Sequence, residues 1–292
     1  MYLIFDTETT GLPKRYNAPV SDSDNWPRCI QIAWQLHDAM GNLIEHQDYL
    51  VKPDGFNIPF DAEKIHGIST ELATAEGISL EEVAEKFQDA LSKTKFIVGQ
   101  NVDFDVNIMG AEFFRLGIEN PLPKLPVLDT CTETTAQLCQ IPGGRGGKFK
   151  LPTLTELHEF LFNEPFAEAH NATADVEATT RCFLELVRRQ IFTKEELDVQ
   201  PDYFENFSEA NPQTVELIGL EHINLKKASD SIRKQMQADS DTQEISSEEI
   251  KENIATLEDA PFVHLHNHSQ FSILQSTSST MDLVNAAVEN NM

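Results

Sequence analysis

The stretch Tyr2-Leu3-Ile4-Phe5-Asp6-Thr7-Glu8-Thr9-Thr10-Gly11 constrains this chain more than any other. Its apolar first half predicts a buried strand, and Gly11 and Pro13 end it. In a strand, residues i and i+2 face the same way, about 7 Å apart. Asp6 and Glu8 are therefore expected to share one face at the point where the strand leaves the core. Two carboxylates about 4 Å apart repel by roughly 4 kcal/mol at an effective dielectric of 20. A hard divalent cation such as Mg²⁺ or Mn²⁺, which prefers carboxylate oxygens, relieves that repulsion. Taken alone, such a pair is more often a solvated strand end, so the rest of the chain has to decide.

The following residues supply an α/β pattern. Cys29–Asp38 alternates and predicts a half-buried strand, Gly41-Asn42 a tight turn, and Leu43–Val51 a returning strand. A short helical stretch is expected around His66-Gly67-Ile68. Ser79-Leu80-Glu81-Glu82 reads as a capping box opening a helix with Val83, Phe87 and Leu91 inward. Phe96–Gly99 and Val127-Leu128 are short apolar strands, and helices are expected over Asp103–Leu116, Thr132–Cys139, Leu154–Phe162 and Ala172–Gln190. Antiparallel strands followed by strands alternating with helices imply a mixed sheet.

That pattern fills residues 1–191, the expected catalytic domain. Residues 192–260 are acidic and polar and predict a largely flexible linker with short helices. At 261–292 a His-rich segment begins, too short to build a core of its own. The formal net charge of −26 argues against a basic surface that grips nucleic acid unaided. Four cysteines without a C-x-x-C pair, and an apolar start that runs straight into Asp6, predict a reduced, cytoplasmic protein without a secretory leader. No apolar run reaches the roughly 18 residues of a membrane span.

Two further acidic motifs lie where strands or loops meet helices, the usual place for sites in open α/β sheets. They are Gln100-Asn101-Val102-Asp103-Phe104-Asp105 and His170-Asn171-Ala172-Thr173-Ala174-Asp175. With Phe5–Gly11, and with Tyr49–Ser69 (YLVKPDGFNIPFDAEKIHGIS), they resemble the DEDDh family of 3′-5′ exonucleases, in the branch of the bacterial DNA polymerase III proofreading subunit. One departure is Gln100, where that branch more often carries His. The resemblance implies a ribonuclease H-like fold: a five-stranded mixed sheet with flanking helices. It implies that Asp6, Glu8, Asp105 and Asp175 hold two Mg²⁺ (or Mn²⁺) ions and that His170 is the general base. It implies, too, that Thr7, Leu12, His66 and Phe104 line the terminal-nucleotide pocket.

The implied activity is proofreading of single-stranded DNA 3′ ends with release of nucleoside 5′-monophosphates. An exoribonuclease, or a non-catalytic module that docks a polymerase, are the alternatives. Arg145, Lys148 and Lys150, in a Gly-rich loop, are candidates for a backbone clamp. The segment 261–292 resembles the opening of the PHP domain of a polymerase III alpha subunit, with His266 and His268, and His264 by alternation, at metal-ligand positions. The implied partners are that polymerase in cis and the sliding clamp.

Overall fold

The computed structural model describes residues 1–164, 171–220 and 223–241. Packing divides the chain into a unit of Met1–Met236 and a unit of Gln237–Met292, of which only the last residues of one helix are described. The first unit is built on a five-stranded sheet: β1 (Tyr2–Thr9), β2 (Cys29–His37), β3 (Leu43–Leu50), β4 (Phe96–Gly99) and β5 (Val127–Asp129), in the order β3-β2-β1-β4-β5. β1–β2 and β2–β3 are antiparallel, whereas β1–β4 and β4–β5 are parallel. The expected five-stranded mixed sheet with flanking helices is the observed fold.

Alternation along β1 divides the core between the two faces of the sheet. Leu3 and Phe5 join Ile32, Trp34 and Leu36 beneath α3 (Leu80–Ser92) and α4 (Asp103–Leu116), where Phe87 and Phe113 pack. Tyr2 and Ile4 join Ala33 and Val98 beneath α6 (Leu154–Phe162) and α7 (Ala172–Arg188), through Leu157, Val176 and Phe183. Helix starts follow their caps. Thr153 and Glu156 form a reciprocal capping box for α6, Ser79 accepts from the Glu82 amide for α3, and Asn171 accepts from the Thr173 amide for α7.

Two expectations need correction. Strand β2 is buried at every position rather than half-buried. It lies between β1 and β3 with helices on both faces, so its polar side chains turn to one another: His37 Nε2 and Gln35 Oε1 bond at 2.9 Å. The second concerns the limit of packing, which continues well past Ile191. Phe192, Leu197, Tyr203 and Phe207 enter the α7-side core, the last two from α8 (Tyr203–Ala210), and the Tyr203 hydroxyl donates to the Ala39 carbonyl at 2.7 Å.

Leu225, on α9 (Leu225–Asp241), buries against Ile30, Ile58, Ala62, Ile68 and Leu72. The acidic composition of this stretch thus conceals apolar anchors spaced for packing. The remainder of the expected linker, and all of 261–292, lie outside the described residues.

The stretch around His66 is two helices, α1 (Phe60–His66) and α2 (Thr70–Glu76). Gly67 caps α1 at φ 78°, and a Cβ there would come within 2.9 Å of the Lys226 backbone nitrogen. Left-handed backbone and close approach of α9 both require glycine. Arg233 of α9 fastens the pair of helices by bonding Glu63 at 2.6 and 2.9 Å and Glu71 at 3.1 Å.

Candidate active site

The even positions of β1 carry the apolar face into an acidic one. Tyr2 and Ile4 are core, and Asp6 and Glu8 continue the same side as the strand emerges. Helix α7 crosses that face and brings Asp175 in its first turn. Carboxylate oxygens of Asp6, Glu8 and Asp175 all lie within 4.8 Å of one another. Asp105 arrives from the other side of the sheet, in the first turn of α4, and is buried. Thr7, an odd position of β1, reaches it there. The Thr7 amide donates to Asp105 Oδ1 at 3.0 Å and the Thr7 hydroxyl to the same oxygen at 2.6 Å.

Crowding of like charges shows in their proton affinity. Burial, then the charges of Asp105, Asp175 and Glu8, hold the Asp6 carboxyl well above the ordinary range. Burial, then Asp175 and Asp105, push Glu8 up to about 8. Burial pushes Asp105 up to about 7, with the Thr7 bonds pulling down and Asp175 adding to the rise. Asp6 and Glu8 keep some accessible surface, so a cation can reach them. An all-oxygen donor set with strained mutual charge fits a hard divalent ion.

Each remaining candidate has a definite place. Leu12 is 75% exposed just beyond β1. Phe104 is half-buried next to Asp105 and packs against the α3–α4 side of the core. His66 is buried at the end of α1 and its Nδ1 accepts the Ile68 amide at 3.0 Å, which puts the proton of the neutral ring on Nε2. His170 lies outside the described residues, as do His264, His266 and His268. Of the basic loop, Lys148 pairs with Glu133 at 2.8 Å and Lys150 with Glu156 at 2.7 Å. These exposed pairs are worth little, yet they already answer two of the three expected clamp charges.

Sequence reasoning passed over Asp129, at the end of β5. Its carboxylate accepts the amides of Asn101, Val102 and Cys131 at 2.8, 3.1 and 2.7 Å. It thereby shapes the β4–α4 turn, where Asn101 takes φ 59°. An acid just after a short apolar strand was the available signal. No helix among the described residues is long and apolar enough to cross a membrane.

Known proteins resemble this chain in sequence and in fold. The DNA polymerase III PolC-type of Pediococcus pentosaceus is 29% identical over 184 residues, covering 63% of this chain and 11% of that protein. The PolC-type protein of Streptococcus suis is 30% identical over 218 residues, covering 74% and 12%. A DNA polymerase III subunit epsilon-like protein of Rhodobacter capsulatus is 29% identical over 190 residues, covering 64% and 23%. The chain therefore spans only a small part of the length of these relatives.

Among solved structures, the zinc-bound complex of E. coli exonuclease I with single-stranded DNA superposes with a TM-score of 0.51 at 24% identity, over 68% of this chain and 42% of that one. The complex of the same enzyme with a dT13 oligonucleotide gives 0.52 at 23%, over 68% and 45%. These show a shared fold. The RNase_T exonuclease model matches residues 3–183, which include all the carboxylates of the site, and the chain belongs to that exonuclease family.

Proposed function

We propose that this protein is a divalent-metal-dependent 3′-5′ exonuclease of the DEDDh type that removes nucleotides from DNA 3′ ends, as the proofreading part of a polymerase III. The observation that carries the reading is the convergence of Asp6, Glu8 and Asp175 within 4.8 Å, with the proton affinities of Asp6 and Glu8 raised by burial and then by the neighbouring charges. Family membership supports nuclease activity. The polymerase III names of the relatives favour DNA over RNA.

In this reading Asp6, Glu8 and Asp175, with Asp105 nearby, hold two Mg²⁺ or Mn²⁺ ions. Such a pair stabilises both the attacking and the leaving oxygen of an in-line displacement at phosphorus. The chain itself supplies positioning and proton transfer. Thr7 keeps the Asp105 carboxylate against β1. Leu12, exposed beside the strand exit, Phe104 and His66 line the pocket for the terminal nucleotide. His170 takes a proton from the attacking water as general base. The 3′-terminal nucleotide leaves as a 5′-monophosphate.

The net charge of −26 opposes a long DNA footprint. A polymerase in cis would hold the duplex and deliver a few frayed nucleotides, so that effective concentration replaces affinity.

The test is digestion of single-stranded and 3′-mismatched DNA, and of RNA of the same sequence, labelled at either end, with Mg²⁺, Mn²⁺ or EDTA. Stepwise release of deoxynucleoside 5′-monophosphates from the 3′ end, stopped by EDTA, is the expected result. Release from RNA alone would transfer the activity to RNA ends. No release from either substrate would leave a non-catalytic docking module.

A further inference from the structure

We propose that Asp48 is a positioning residue that fixes where Asp175 sits relative to Glu8, and hence how tightly the site holds its cation. The inference rests on the reading of Asp6, Glu8 and Asp175 as a cation site.

The sheet register places Asp48 there. Asp6 of β1 lies opposite Ala33 of β2, which lies opposite Asp48 of β3. In the next row, Glu8 lies opposite Gln31, which lies opposite Leu50. Side chains in a row share a face, so Asp6, Glu8, Gln31 and Asp48 all stand on the side that α7 crosses. Ala33, fully buried, is small enough to let the start of α7 settle between the two acids, and it packs in the same core as Ala172.

Asp48 then ties the helix down. The Thr173 hydroxyl donates to Asp48 Oδ2 at 2.5 Å, and Gln31 Nε2 donates to Asp48 Oδ1 at 2.9 Å. The Ala172 amide donates to Gln31 Oε1 at 3.4 Å. Gln31 and Thr173 are 1% and 3% exposed, so water competes poorly for these bonds. Thr173 precedes Asp175 by two residues in the same helical turn. A slide or rotation of that turn breaks bonds to an ionised acceptor, which are about twice as strong as neutral ones. The result is a closed path, Glu8–(β-pairing)–Gln31–Asp48–Thr173–Asp175, from one proposed ligand to another. Nothing else in the reaction uses Asp48, and an edge-strand acid does not otherwise require two buried donors. Partners that orient ligands from behind typically contribute 10–100-fold in metal affinity or activity.

The experiment titrates the full 292-residue chain with Mn²⁺ by calorimetry and follows kcat and KM on a single-stranded oligonucleotide. Asp48→Ala is expected to weaken Mn²⁺ binding by about 10–100-fold and to lower kcat in the same range. KM should change little, and the metal-free melting temperature should fall, because Gln31 and Thr173 lose the acceptor of buried bonds. Thr173→Val should reproduce these effects, Thr173→Ser should restore wild-type values, and the double variant Asp48→Ala/Thr173→Val should be no worse than either single one, because the bond is shared. Asp6→Asn separates the two levels of inference. If Asp6→Asn loses Mn²⁺ while Asp48→Ala and Thr173→Val bind it as wild type does, the positioning role is wrong and the cation site stands. If Asp6→Asn binds Mn²⁺ at wild-type strength, the cation site itself is wrong and the proposal goes with it.

Discussion

The Thr7 hydroxyl holds Asp105 at 2.6 Å, locking an acid from α4 to the strand that carries Asp6 and Glu8. Thr7 points to the opposite face of β1 from its two acidic neighbours. One strand can therefore gather carboxylates from helices on both sides of the sheet. In the family resemblance Thr7 is a pocket residue, whereas its contacts in this structure make it an anchor for Asp105.

Thr7→Val removes that hydroxyl and keeps the shape. A hydrogen bond to a charged group contributes roughly 1.5–3 kcal/mol. About 10–100-fold loss of nuclease rate is expected, with partial loss of Mn²⁺ affinity, and Thr7→Ser should retain both. A fully active valine variant would show that Asp105 needs no such anchor.

Asp6→Asn should nearly abolish cleavage. A catalytic metal supplies several kcal/mol of transition-state stabilisation, and about 1.4 kcal/mol is a factor of ten, so the loss is on the order of 10²–10³-fold. The same change relieves desolvation and repulsion at a group whose carboxyl is held far above its ordinary range. The metal-free melting temperature should therefore rise rather than fall, by about 2–4 °C for each kcal/mol gained. A drop in melting temperature on calorimetric scanning would contradict the charge argument.

Stability without metal should decline as pH rises through neutrality. Glu8 at about 8 and Asp105 at about 7 bind protons more tightly folded than unfolded, where 4.5 and 3.8 apply. Such groups contribute stability that is complete below the unfolded values and lost as pH passes the folded ones. Acids with lowered values, Glu71, Glu156 and Glu185 among them, act in the opposite sense, and only at more acidic pH. Thermal scans from pH 5 to 9 in EDTA should show a melting temperature that falls from pH 5 upward and levels off above about pH 8. Mg²⁺ should reverse it, with a gain that grows with pH because the ligands must be deprotonated. A gain that is the same at every pH would argue that the cation binds elsewhere.

Ending the chain after Ile191 should cost the fold. Phe192, Leu197, Tyr203, Phe207 and Leu225 would be lost from the core. At roughly 1.5–3 kcal/mol each they amount to about 10 kcal/mol, comparable to the whole stability of a domain, about 5–15 kcal/mol. A fragment ending at Met236 should unfold in a single cooperative transition on urea titration, and one ending at Ile191 should not. Equal midpoints for the two fragments would place α8 and α9 outside the core.

Local patterning decided much of this protein. The alternation of Tyr2, Ile4, Asp6 and Glu8 puts the apolar and acidic parts of β1 on one face whatever the surroundings, because the side-chain period of a strand is fixed. The Ser79 cap and the apolar spacing of Val83, Phe87 and Leu91 likewise act within a few helical turns, so α3 was legible. Tertiary structure decided what depends on partners distant in sequence. Burial of β2 on both faces needed helices more than forty residues away, and the core role of Phe207 and Leu225 was hidden because sparse anchors in an acidic stretch look the same as a linker until a surface exists to receive them. The Thr7–Asp105 and Asp48–Thr173 bonds span 98 and 125 residues. No local propensity encodes such a pair: each bond exists only because the fold of the sheet and the packing of a distant helix, α4 for the first and α7 for the second, bring the two groups together.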